Sequence, residues 1–164
     1  MANAVSAWAV GQASFTLRKL KVEVPRCSGP DSLLEAINQT RTTLRRAFDR
    51  RQREHERWGS IRCIGCFSPS FGGTSWSATF HGVLDLGRVH EITFLNAIEP
   101  LAEIRLQSFP VALIQNDVHA YVRFGFSTMS GLRLCDPVHL AAYAASVTAR
   151  GGFKPLTFRR GLQA

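Results

Sequence analysis

"SIRCIGCFSPSFGGTSWSATFHGVLDL", residues 60 to 86, contains two strand-like runs joined by a turn-rich connector. "SIRCIGCFS" and "WSATFHGVLDL" are the strands, and Gly72 and Gly73 in "PSFGGT" mark the turn. The stretch therefore reads as a β-hairpin with a longish loop. His81 stands mid-strand in an otherwise apolar run, two residues after Thr79. It is one half of a metal site or a histidine of the core, and the surrounding chain must decide.

Upstream, residues 13 to 24 alternate apolar and polar, with Phe15, Leu17, Leu20, Val22 and Val24 on the apolar side and a phase change near Lys19. Pro25 and "SGPD" are expected to end that strand. A helix is expected from Ser32, where "SLLE" has the form of a capping box, and Leu33, Leu34, Ile37, Leu44 and Phe48 repeat near the helical period. Downstream, residues 91 to 107 are expected to be helical around Pro100. Residues 119 to 128 alternate and read as a strand with Tyr121 and Arg123 on one face. Asp136 as N-cap and Pro137 at the first helical position open a last helix, which Gly151 and Gly152 close.

The order β-α-β-β-α-β-α predicts an α+β fold: one central, mainly antiparallel sheet with helices packed on one face, of ferredoxin-like kind. Its 164 residues suit a single domain over 1–164, with flexible ends expected at 1–12 and 155–164. Apolar residues make up 45% and charged residues 20%, which places the chain among globular proteins. No apolar run approaches ~20 residues, so no membrane partner is expected. No basic region precedes the mildly apolar start, so the expected compartment is the cytoplasm.

A net charge of +8 points to a polyanionic partner, nucleic acid first. From Arg41 to Trp58 there are seven arginines against three acids, giving the first helix a basic outer face. Cys63 and Cys66 have a zinc-like spacing, but no second ligand pair exists, and residues three apart on a strand diverge. Buried free cysteines are expected.

The layout resembles the HUH endonucleases, the rolling-circle replication initiators and relaxases. Trp76 stands where those initiators carry a tryptophan, "TFH" occupies the His-hydrophobic-His position, and Tyr143 lies on a helix near the C-terminus. The resemblance spans roughly residues 32 to 152. It implies a divalent ion, Mg²⁺ or Mn²⁺, held partly by His81, with Tyr143 attacking a phosphate. The pattern is broken at the ligands: Thr79 replaces the first histidine, "CIGCF" offers no acid, and Ser146 stands where a lysine is usual. Only His119, Asp85 or Asp117 could complete a shell around His81.

Three functions follow as expectations. The first is a nucleic-acid-binding protein on a degenerate HUH-like scaffold, of plasmid or phage derivation, regulating or inhibiting a nucleic-acid machine. It would hold single-stranded or structured nucleic acid, alone or in a nucleoprotein complex, and need no cofactor. Its binding residues would be Arg45, Arg46, Arg50, Arg53, Arg57, Arg62, Arg123, Lys154, Arg159 and Arg160, with Phe71, Trp76 and Tyr121 as stacking platforms. The second is a metal-dependent nickase using Tyr143. The third is a module whose basic helix docks on an acidic protein.

Overall fold

In the computed structural model the described residues are 8, 16–98, 104–108, 120–121, 132, 135–151 and 157–160. They form β1 (Leu17–Cys27), α1 (Pro30–Glu54), a 3₁₀ turn (Glu56–Ser60), β2 (Arg62–Phe71), β3 (Trp76–Asp85), α2 (Glu91–Ile98), β4 (Ile104–Ser108), α3 (Pro137–Ala149) and β5 (Thr157–Arg160). The class is α+β. The strands make one sheet in the order β4-β1-β3-β2-β5, and every neighbouring pair is antiparallel.

The hairpin is where the sequence puts it. β2 and β3 pair without a slip from Arg62↔Asp85 to Phe71↔Trp76. Alternation along β3 buries Trp76, Ala78 and Phe80 on one face. The opposite parity sends Thr79 and His81 to the other face. Against the first face packs α1, burying Leu33, Leu34, Ile37, Leu44, Ala47 and Phe48. Each of the larger of these side chains contributes about 1.5–3 kcal/mol on leaving water.

Several boundaries differ from expectation. β1 runs on through Pro25 to Cys27, because a register shift between Val24 and Cys27 gives the proline a bulge to occupy. Pro69 is tolerated in β2 for a related reason: among the described residues β5 pairs with Cys63–Cys66 only, so the outer edge at Pro69 has no described ladder to break. α1 begins at Pro30 with Gly29 as N-cap. Ser32 is not the cap but the third helical residue. Its Oγ accepts from Gly29 N at 3.2 Å and donates to Gly29 O at 2.9 Å.

Of the expected helix over 91–107, Glu91–Ile98 is helical, 99–103 lie outside the described residues, and Ile104–Ser108 is instead strand β4 on the free edge of β1. Within the expected 119–128 strand, Ala120 and Tyr121 have helical backbone, and the rest lies outside the described residues. Thr157–Arg160, assigned to a flexible tail by sequence, form β5. Asp136 caps α3 as expected, its Oδ1 accepting from Val138 N and His139 N at 3.0 Å each.

Candidate nucleic-acid interface

The HUH layout would need His81 and Tyr143 beside one another. The structure sets them apart. Tyr143 stacks on Trp76 at 5.7 Å, on the helix-covered face of the sheet, and its side chain is 1% exposed. His81 belongs to the opposite parity of β3 and meets the Tyr121 ring edge-on at 6.0 Å. The sheet stands between the two.

Among the described residues, neither has the surroundings its expected chemistry requires. Burial drives the Tyr143 hydroxyl well above the usual phenol range, and that hydroxyl has no hydrogen-bond partner. His139, one turn earlier, does not reach it; its Nδ1 pairs with Asp136 Oδ2 at 2.6 Å and its ring stacks on Phe71 at 4.2 Å. Tyr143→Phe is therefore expected to leave stability unchanged or raise it by about 1 kcal/mol, since it deletes an orphaned buried hydroxyl. Urea denaturation checks this, and a clear loss of stability would contradict it.

Around His81 the described residues offer no cation site. Lys21 is directly opposite it in the β1–β3 ladder and Cys66 in the β2–β3 ladder. Burial pushes the Cys66 thiol up to about 11, away from the thiolate a metal would need. A nearby carboxylate, Glu23, accepts a hydrogen bond from Thr79 Oγ1 at 2.9 Å. Asp85 is buried and its Oδ1 accepts from Gly87 N at 3.0 Å, a turn-capping role. His119 and Asp117 lie outside the described residues. No group of three potential ligands occurs among the described residues, so these residues by themselves do not make up a divalent-ion site.

His81 is better described as a half-buried histidine kept neutral. Burial lowers its pKa first, the Lys21 charge lowers it further, and Glu23 opposes weakly. A pKa depressed in the folded state makes its contribution fully present above the ordinary value of 6.5 and progressively lost as pH falls below it. Unfolding free energy is expected to fall as pH drops below the ordinary histidine value of 6.5, and His81→Phe to flatten that slope. Asp136 and Glu54, whose pKa values are lowered by hydrogen bonds from His139 N and Arg50 respectively, act in a more acidic window.

Of the expected stacking platforms, Trp76 is corrected. Trp76 is 1% exposed, wedged between Phe71 at 4.9 Å and Tyr143, so no base can reach its face. Phe71 is half-buried under His139. Tyr121 lies along the sheet, its hydroxyl donating to Leu20 O at 3.1 Å while Lys19 Nζ sits 5.6 Å from the ring centre. Cys63 and Cys66 are buried and free, as the sequence suggested.

Arg45, Arg46, Arg50, Arg53, Arg57 and Arg62 are all exposed. Arg46, Arg50 and Arg53 follow the i, i+4, i+7 spacing of one helix face. Arg50 and Arg51 share Glu54 at 2.9 and 3.0 Å, a pair of surface ion pairs of small net value. Arg45, Arg46, Arg53 and Arg57 make no ion pair among the described residues. Arg159 and Arg160 stand opposite Ile64 and Cys63 on β5. Arg123 and Lys154 lie outside the described residues.

Where α1 ends, the arginine face turns into a concave pole that sequence reading missed. The 3₁₀ turn, the β3–α2 turn and the start of α2 enclose a recess of about 550 Å³, lined by Arg57, Arg88, His55 and His90 among others. An aromatic triangle supports it from beneath: Trp58 stacks on Phe94 at 5.8 Å, and Phe48 meets both rings at 6.3 and 5.9 Å. The available signal was "DLGRVH", a glycine and an arginine directly after a strand.

No protein family, curated protein or solved structure matches this chain. No helix among the described residues is long and apolar enough to cross a membrane.

Proposed function

We propose that this chain is a nucleic-acid-binding protein that holds phosphates with the outer arginine face of α1 and the turns that follow it. The observation that carries the reading is the exposed, unpaired row Arg45, Arg46, Arg53 and Arg57, continuous along one helix and the turn after it. Guanidinium groups present planar forks that match phosphate oxygens. With Trp76 and Tyr121 turned into the protein, affinity comes from the backbone of the nucleic acid and not from stacking on bases.

The strand order β4-β1-β3-β2, with α1 and α2 as the two crossovers, supports a ferredoxin-like reading of residues 17–108. That is the layout an HUH-like scaffold implies. The nicking reading gains nothing from the separation of His81 and Tyr143. The role proposed is binding, in the manner of a regulator or inhibitor of a nucleic-acid machine.

The test is fluorescence anisotropy with labelled single-stranded DNA and RNA across a salt series. Affinity is expected to fall steeply between about 50 and 200 mM salt. Arg45→Glu with Arg46→Glu should weaken binding roughly tenfold or more, and the slope of log K against log salt should flatten by about 2. Salt-independent binding, or an unaffected double variant, would overturn the reading.

A further inference from the structure

We propose that Arg57 and Arg88 form a phosphate subsite, with Ser60 as the positioning residue that holds the two together, and that the subsite seats one phosphate group of a bound strand. The ligand's identity as part of a nucleic acid rests on the function proposed above. The site itself rests on local geometry.

Arg57 belongs to the 3₁₀ turn and Arg88 to the turn between β3 and α2. One hydroxyl ties their backbones: Ser60 Oγ donates to Arg57 O at 2.6 Å and accepts from Arg88 N at 2.9 Å. The turns touch only because residue 87 is glycine. Its φ is +53°, and a Cβ there would stand 2.5 Å from Ser60 Oγ and 2.8 Å from Ser60 O. Leu86 N to Thr16 O at 3.0 Å and Val89 N to Leu86 O at 2.9 Å fix the Arg88 turn from its other sides. Trp58, adjacent to Arg57, is locked in the aromatic triangle. The two arginines thus start from a rigid base, so little ordering is lost on binding an anion.

The charges around them favour an anion. Both side chains are exposed, border the same recesses, and make no ion pair among the described residues. Two neighbouring carboxylates are already engaged: Glu54 by Arg50 and Arg51, and Glu91 by Arg18 at 2.7 Å. Glu56 is the remaining acid at the rim, against two guanidinium groups and the imidazole donors of His55 and His90. Two arginine forks converging on one recess suit the tetrahedral oxygens of a phosphate.

The full chain is tested with two probes. In the first, inorganic phosphate is titrated into ¹⁵N-labelled protein against chloride at matched ionic strength. The Gly87 and Arg88 amides are expected to shift with phosphate alone, and the Gly87 response to vanish in Arg88→Ala. Equal shifts with chloride, or none, would overturn the subsite whatever oligonucleotides do.

In the second, single-stranded DNA carrying either a 5′-phosphate or a 5′-hydroxyl is bound across a salt series. Arg88→Ala should flatten the salt slope by about 1 relative to Arg26→Ala, an exposed arginine at the far end of β1. Ser60→Ala keeps both charges, so the slope should stay while affinity drops several-fold. A purely structural serine would instead lower the melting temperature and leave the affinity of the folded protein alone, which would overturn its positioning role. Equal losses for Arg26→Ala and Arg88→Ala would overturn the subsite and leave the broader reading standing. Phosphate shifts without oligonucleotide binding would support the subsite and overturn its nucleic-acid ligand. A preference for the 5′-phosphorylated strand would support the subsite as a seat for a strand end, and equal binding as a seat for an internal phosphate.

Discussion

Gly65→Ala is expected to destabilise the protein by about 3 kcal/mol or more, the upper range for forcing a methyl into a filled core. Gly65 sits in β2 opposite Gly82 of β3, and the Phe80 ring lies over both. A Cβ at Gly65 would stand 2.2 Å from Phe80 Cζ and 2.5 Å from His81 O. The ring could in principle turn aside, but the His81 carbonyl is part of the ladder and cannot move without opening the hairpin. The double variant Gly65→Ala with Phe80→Leu should therefore recover only part of the loss. Gly72→Ala is the control, because its nearest neighbour would be Ser75 O at 3.9 Å. Thermal melts should show a drop of roughly 6–12 °C for Gly65→Ala, by the scaling for domains of this size, and almost none for Gly72→Ala. A Gly65→Ala protein as stable as the parent would mean that β2 and β3 are not in the register described.

Trp76→Ala should cost about 3–5 kcal/mol, the range for deleting a buried aromatic side chain. Trp76 is the link between the hairpin and α3, stacked on Tyr143 and packed against Phe71. A domain of ordinary stability has only ~5–15 kcal/mol in total, so the variant would be close to unfolding at 37 °C. The measurement is urea denaturation alongside oligonucleotide binding under conditions where the variant remains folded. Stability should fall while affinity per folded molecule holds. The reverse pattern, normal stability with lost binding, is what a surface stacking platform would give, and it would refute the buried placement.

That contrast shows which parts of the molecule the amino-acid order makes legible. The hairpin, the stripe of α1 and the Asp136–Pro137 start of α3 are local patterns, and each is found where its pattern lies. Trp76 misleads because sequence alone does not say which face of a half-polar strand will be roofed by a helix more than sixty residues away. β4 is missed because "IRLQS" is only five residues long and gains its identity from the free edge of β1, a partner more than eighty residues upstream. The arginines of α1 are legible as a charge run. The pairing of Arg57 with Arg88 is not, because it depends on Ser60 meeting Gly87 through tertiary closure.

The sheet order also bears on how the chain comes to be folded at all. β5 pairs with β2 across more than ninety positions, and β3 with β1 across 49 to 68. Long-range ladders of this kind give high contact order, which slows folding into the millisecond-to-second range. During synthesis, at about 5–20 residues per second, β2 would wait several seconds with one edge unpaired before residues 157–160 appear. The Cys63–Cys66 segment of that edge is apolar, and for that interval it is the stretch most exposed to pairing with a neighbouring nascent chain.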